Sequence, residues 1–538
     1  MDVTTPAPNQ KAGAKEWLGL AVLALPTLVL SIDVTVLYLA LPHLGADLQP
    51  SANQTLWIID IFGFLLAGLL ITMGTLGDRI GRRRLLMIGG TGFAAASLLG
   101  AYANSAEMLI AARALLGIFG ATLMPSTLSL ITNMFSDSKQ RAQAVAIWAA
   151  CVSSGIAIGP PIGGLLLESF WWGSVFLFAV PVMVLLLIAA PFLLPEYRSP
   201  SAHRVDVISV ALSLAAVIPV IWSIKELAED GVKALPLITL VAGLAIGVLF
   251  VMRQQRLAEP LFDVSLFRNR EFSATLLMLL IGVGVVGGVY LFISQYLQLV
   301  KDQGPMEAGL WMLPSAFVMM VTAAASPALI KWFRPGYLVG AGLTVSAAGY
   351  FMLLSVGADD DLSMLVLSMI VLFSGLGPVF ALGTDLVLGT APPERSGSAA
   401  AMSETAMEFG ISLGIAVLGS VGAAVYRNKM EDAVLPEALG PEAAEAAAET
   451  LPGAMAVAQQ APPETGGPLA DQAIGFFMDG FHASAMVCGI TVGVFALVSF
   501  VLLRNARTKA QIEADEAEQA ESIEQADDSE GLVQARTK

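Results

Sequence analysis

Charge is scarce in this chain: only 13% of its residues are Asp, Glu, Lys or Arg, against 56% apolar. That balance excludes an ordinary soluble domain, whose charged share is near a quarter. Cysteine is scarcer still, with Cys151 and Cys488 both in apolar stretches, so no disulfide framework is expected. The three histidines, His43, His203 and His482, lack metal-ligand spacing, so no metal site is expected. No Gly-x-x-x-x-Gly-Lys-Ser/Thr phosphate loop occurs, which argues against direct ATP drive and leaves an ion gradient as the energy source. No nucleophile, base and orienting acid form a recognisable set, so the chain reads as a non-enzyme without a cofactor. The formal net charge of −16 argues against a nucleic-acid partner, although the acids concentrate in two segments.

What is abundant is long apolar sequence, with a mean hydropathy of +0.74. Crossing a hydrocarbon layer of about 30 Å takes ~20 mostly apolar helical residues, because backbone groups there must bond to each other. Such runs fall near 17–42, 53–76, 85–103, 107–133, 145–167, 171–194, 205–225, 234–252, 272–299, 308–330, 337–357, 362–390, 399–426 and 479–503. They make fourteen spans and an all-α polytopic membrane protein. The first run is too long for a signal-peptide core and reads as a span. An even number of spans puts both termini on one side, and most of the 28 Lys and Arg lie in the termini and the loops alternating with them. The positive-inside rule makes that side cytoplasmic. Lys225, Lys233, Lys301, Arg427 and Lys429 are assigned to the opposite loops, while Arg113 falls within a span. Two segments are expected outside the membrane: an outer loop, 427–478, rich in Ala, Glu and Pro, and an acidic tail, 504–538. The tail reads as solvated, whereas a loop of that length is often either functional or disordered.

The loop after the second span reads Gly74-Thr-Leu-Gly-Asp78-Arg79-Ile-Gly81-Arg82-Arg83-Arg84. It resembles the signature loop of the major facilitator superfamily. Gly74 and Gly81 would allow tight approach, Asp78 would face the positive end of the next helix, and Arg79 and Arg82 would hold the loop in the cytoplasm. In the fifth span, Gly155-Ile-Ala-Ile-Gly159-Pro160-Pro161-Ile-Gly163-Gly164 resembles the superfamily's antiporter motif, which implies export. Small residues every fourth position suit close helix packing, and the prolines favour a bend. Leu109-Ile-Ala-Ala-Arg113-Ala-Leu-Leu-Gly117 is similar to the motif whose arginine is linked to proton movement. Ile32-Asp33-Val-Thr35 through Pro42 is like the opening of the fourteen-helix drug:proton antiporters. With Leu56-Trp57-Ile-Ile-Asp60 and the central pair of spans, the resemblance covers nearly the whole chain and is closest to the bacterial quaternary-ammonium multidrug exporters. It implies a plasma-membrane efflux protein of the kind that confers antibiotic resistance. Asp385 fits no pattern of that family, and Glu408 stands where it commonly has aspartate.

An ionisable side chain inside a span is costly unless it faces a partner or a wet cavity, so each is a functional candidate. These are Asp33, Asp60, Arg113, Glu404 and Glu408. At ~1.5 Å per residue, Asp33 lies about 13 Å from its outer helix end, Asp60 about 10 Å and Arg113 about 9 Å. Movement of Arg113 relative to Asp33 or Asp60 would switch a proton on and off; the alternative is a fixed ion pair. Glu404 and Glu408, four apart in the thirteenth span, share a helix face in its cytoplasmic half and resist ionising together. That suits a proton carrier or a cation site. Tyr38, Trp57, Phe62, Trp148 and Tyr290 are candidate cation-π surfaces, and Met402 and Met407 would give an adaptable wall. Gly282-Val-Gly284-Val-Val-Gly287 satisfies the dinucleotide fingerprint but lies mid-span with no preceding strand, and reads as helix packing.

The expected organisation is a tail at 1–16, a six-helix bundle at 17–194, two inserted spans at 195–271 and a second six-helix bundle at 272–503. The expected activity is export of lipophilic cations in exchange for protons by alternating access, by a monomer in contact with membrane lipids. Export of an endogenous lipid or metabolite is the main alternative. A non-transporting sensor is another.

Overall fold

The computed structural model describes residues 12–198, 206–229, 231, 233–257, 260–392, 395–433 and 440–503. His203 and the acidic tail lie outside the described residues. Among the described residues, seventeen α-helices follow in order: α1 (Ala14–Leu48), α2 (Ala52–Ile80), α3 (Arg82–Ala101), α4 (Ala106–Met134), α5 (Ser138–Ser169), α6 (Ser174–Leu177), α7 (Ala179–Leu193), α8 (Val207–Glu229), α9 (Ala234–Gln254), α10 (Arg270–Gln295), α11 (Pro305–Leu329), α12 (Pro335–Leu353), α13 (Leu362–Thr390), α14 (Ser396–Glu431), α15 (Pro441–Glu449), α16 (Leu451–Gln460) and α17 (Pro463–Leu502). Among the described residues, 14 helices are long and apolar enough to cross a membrane, with α6 and α7 forming the sixth span. Polar caps start several of them: Ser51 Oγ accepts from Gln54 N at 3.2 Å, and Asp137 Oδ1 accepts from Gln140 N at 2.9 Å. Each cap satisfies a backbone donor that the first helical turn leaves free.

The helices alternate in direction. Arg82 N, after α2, donates to Tyr197 O, after α7, at 2.9 Å, and Ala12 N donates to Gln140 Oε1 at the start of α5, at 2.7 Å. These mark the end of the molecule that carries the α2–α3 loop, called here the motif side. The opposite end is the loop side, where Tyr426 Oη donates to Ala447 O at 2.9 Å and Glu449 Oε2 accepts from Ala52 N at 3.3 Å.

Helices α1–α7 pack as one bundle, and α10–α14 with α17 as the other. They meet chiefly through α2 against α14 and α5 against α11. The added pair, α8 and α9, is inserted in sequence but peripheral in space. Helix α8 rests on α2 and α14, one helix from each bundle, while α9 packs on α8. Asp206 closes this hairpin by accepting from Arg253 Nη2 at 2.9 Å. Its carboxyl, just ahead of α8, is raised by burial, but bonds from Arg253 and Ser209 outweigh that and hold it below the usual carboxylate value.

Two expectations change and a third is refined. The segment expected as an outer loop to 478 contains two short helices, and the helix that carries the last span begins at Pro463, ahead of the apolar run expected near 479. Gly466, Leu469, Ala473 and Phe477 are buried, so packing on protein extends the helix beyond its lipid-length apolar window. Lys225, assigned to a loop, is a buried residue of α8. Asp78 meets the start of α3 through the side chain of Arg82, at 2.7 Å, and a first-turn backbone donor is served by Glu196, whose Oε1 accepts from Arg83 N at 3.2 Å.

Candidate functional site

The first bundle contributes to two buried ion pairs, one within it and one with α8. Asp33 on α1 is bonded to Arg113 on α4, with side chains 5% and 2% exposed. Arg113 Nε also donates to Ile58 O at 3.0 Å, and its guanidinium lies 4.6 Å from the centre of the Phe62 ring. One arginine thus joins α1, α2 and α4. Asp60 on α2, by contrast, is not an Arg113 partner of this kind. Lys225 Nζ lies 2.8 Å from its Oδ2 and donates to its Oδ1 at 3.0 Å. The ammonium sits 3.8 Å from the centre of the Trp57 ring.

Burying these charges is costly, and the pairing offsets that cost only while both members are present. Sequence reading identified three of the four charged members. It missed Lys225 because that residue closes an apolar window and resembles a lysine emerging into water. A signal was present nonetheless: Trp57 and Asp60, three apart on one helix, present an aromatic face and a carboxylate to the same side.

Helix α14 differs. Glu404 and Glu408 are partly buried, and among the described residues neither forms an ion pair with Lys or Arg. Gly63 of α2 approaches this part of α14, where an added Cβ would lie 1.9 Å from Ser412 Oγ and 3.7 Å from Glu408 O. The Glu408 backbone therefore lies at the α2–α14 contact between the bundles, with Glu404 one turn earlier on α14. Met402 is buried in the cluster containing Phe272 and Leu279, and Met407 Sδ receives Thr384 Oγ1 at 4.0 Å.

The aromatic candidates separate by what they touch. Trp57 and Phe62 cover the protein's own cations. Tyr38 and Tyr290 pack together at 6.0 Å between ring centres, and Ser294 Oγ donates to Tyr38 O at 2.8 Å, joining α10 to α1. Trp148 Nε1 donates to Thr127 Oγ1 at 3.2 Å, which ties α5 to α4 within the first bundle.

The glycine motifs act at close helix contacts. A Cβ at Gly155 would meet Ser31 Cβ at 2.6 Å, and one at Gly159 would meet Thr35 Oγ1 at 1.9 Å. Gly163 likewise faces Val36, whereas Gly164 turns to α11, 2.5 Å from Met306 Cα on the same measure. Spacing by four thus seats α5 on α1, while Gly164 and Pro160 meet the second bundle. Helix α5 continues through Pro160 and Pro161. Gly81 has φ +112°, a region glycine enters without a Cβ penalty, and it turns the chain from α2 into α3. Gly74 is no close approach: its added Cβ would lie 3.8 Å from Pro125. Arg82 Nη1 donates to Pro125 O at 3.4 Å, and Arg79 lies in the last turn of α2. The Gly282 to Gly287 run is helix packing, with Gly284 and Gly287 against Gly410 O and Ile411 O.

Two helical bundles of membrane-spanning length, with buried ion pairs in and beside the first and glycine-lined contacts between them, suit a multi-pass membrane transporter, not an enzyme. Residues 23–415 match the family model for the Major Facilitator Superfamily, and the chain belongs to that superfamily. It is 44% identical to the multidrug efflux pump LfrA of Mycolicibacterium smegmatis, over 91% of this chain and 97% of that protein. It is 33% identical to the methyl viologen resistance protein SmvA of Salmonella typhimurium, over 85% and 92% respectively. The tetracenomycin C resistance and export protein of Streptomyces glaucescens is 32% identical, over 92% and 93%. Among solved structures, an inward-facing bacterial homologue of the human lysosomal transporter Spinster aligns with TM-score 0.63 at 18% identity, covering 93% of this chain and all of that one. That likeness concerns the fold alone.

Proposed function

We propose that this protein exports lipophilic cations, including quaternary ammonium compounds and dyes, from the cytoplasm or inner leaflet in exchange for protons. The observation that carries the reading is the pair Glu404 and Glu408, partly buried on α14, which among the described residues have no lysine or arginine partner. Two neighbouring carboxylates in such surroundings favour sharing a proton over ionising together. A lipophilic cation reaching the pair displaces that proton, and proton return from outside releases the cation. Methyl viologen, named in one relative, is an aromatic dication and fits that exchange.

In this reading the motif side is cytoplasmic, as are both termini, in keeping with the positive-inside rule. The Gly155–Gly164 surface lets the bundles rock, and the two halves, 17–194 and 272–503, are the rocking units. Asp33 and Arg113 stay paired during that motion and hold the first bundle's charge fixed. The working unit in this reading is a monomer. The test is ethidium transport by proteoliposomes under an imposed pH gradient, comparing the unaltered protein with Glu404→Gln and Glu408→Gln. Gradient-dependent movement that both substitutions abolish supports the reading; no ethidium movement by folded protein removes it.

A second reading, export of a metabolite, is favoured by the relative named for tetracenomycin C. It predicts transport that is indifferent to the positive charge of the test compound.

A further inference from the structure

Lys225 is an unusual occupant for the place it fills. Its ammonium has the Trp57 ring on one side, 3.8 Å to the ring centre, and both oxygens of Asp60 on the other, at 3.0 Å and 2.8 Å. An indole face and a carboxylate converging on one point are the elements of an ammonium-binding site. Both charged side chains are essentially inaccessible, 1% and 0% exposed, yet Asp60 Oδ2 receives no aligned hydrogen bond. Its acceptor capacity is therefore not saturated by the lysine. Lys225 also borders a narrow crevice, with room for about one water, that it shares with Asn53, Leu56, Ser420, Ala423 and Arg427. The base of the lysine stem is anchored close by, where Asn53 Nδ2 donates to Glu226 Oε1 at 2.8 Å.

We propose that Trp57 and Asp60 form a second ammonium-binding site, that Lys225 is its tethered occupant, and that an alkyl or quaternary ammonium ligand competes with Lys225 for it. Because α8 rests on both α2 and α14, release of Lys225 loosens a charged link between the added helix pair and the first bundle. The peripheral hairpin thereby senses whether a ligand is bound. The inference takes from the proposed function only the class of ligand; it concerns equilibrium binding and needs no proton coupling.

The test is calorimetric titration of benzyltrimethylammonium into the full-length protein in nanodiscs. Lys225→Met should bind the probe at least tenfold more tightly than the unaltered protein, because the competitor is gone. Lys225→Arg, which keeps a resident cation, should not show that gain, and Asp60→Asn combined with Lys225→Met should lose it. Equal or weaker binding by Lys225→Met, or a gain that survives without Asp60, overturns the proposal. If Lys225→Met does not fold, the unaltered protein supplies the reading. Saturating probe should raise labelling of Lys225 by an amine-reactive reagent, measured by mass spectrometry, and unchanged labelling overturns the proposal. Export of ethidium under a pH gradient together with either negative result removes this inference alone. Absence of cation transport in that separate assay removes the proposed function instead.

Discussion

The acids of the first bundle and those of α14 solve the same electrostatic problem in opposite ways. Asp33 and Asp60 are 4% and 1% exposed, and each is balanced by a cation of the protein that lies over an aromatic ring. Glu404 and Glu408 keep partial exposure and have no such partner among the described residues. A carboxylate with a built-in counter-ion is suited to holding helices in place, and its removal leaves an orphan charge. One without a counter-ion must be neutralised by something that comes and goes. The difference assigns fixed structure chiefly to the first bundle and exchange chiefly to α14.

The largest effect should come from unbalancing a fixed pair. Asp33→Asn leaves Arg113 buried without its carboxylate and should cost about 3–5 kcal/mol of stability, visible as a large drop in thermal midpoint and loss of transport. A midpoint unchanged from the parent would erase the distinction between the regions. Next, Glu404→Gln and Glu408→Gln should each lower gradient-driven cation transport at least tenfold while leaving the thermal midpoint within a degree or two. A stability loss matching that of Asp33→Asn would mean the α14 acids are structural too. Gly159→Val sharpens the geometry: its side chain would run into Thr35, and overpacking of this kind costs about 1–3 kcal/mol, read by the same melt. Trp148→Phe should cost about 1 kcal/mol through its lost bond to Thr127, with transport changed less than twofold. A tenfold transport loss there would return Trp148 to the substrate pocket. The smallest effect belongs to Asp206. Its folded carboxyl is held below the usual value, so its stabilisation is present above the unfolded value and is lost as pH falls through the folded one. Asp206→Asn should therefore lower the midpoint slightly at neutral pH, by about 0.5 kcal/mol for a partly exposed pair, and the difference should vanish in acid.

Much of this organisation was readable before any coordinates. Apolar runs separated by basic loops specify a fourteen-span helical protein because lipid admits few other backbone solutions. Arg113, Asp33 and Glu404 stand out because charge inside such a run demands a reason. The partners were harder to read. Asp60 and Lys225 are 165 residues apart in sequence, and no local pattern pairs them. Trp57 and Phe62 were legible as cation-π candidates, but the sequence does not reveal that the cations belong to the protein. The α17 extension to Pro463 was hidden for a related reason: its added turns pack against protein, so they need not read as lipid-facing.

The central claim is that the α14 acids exchange a proton for a cation, whereas the first bundle's pairs do not. Calorimetric binding of tetraphenylphosphonium in buffers of different ionisation enthalpy counts the protons released on binding. The unaltered protein should release protons, and the Glu404→Gln, Glu408→Gln double variant should bind with none released. Equal proton release by both proteins would contradict the account and move the exchange to other groups.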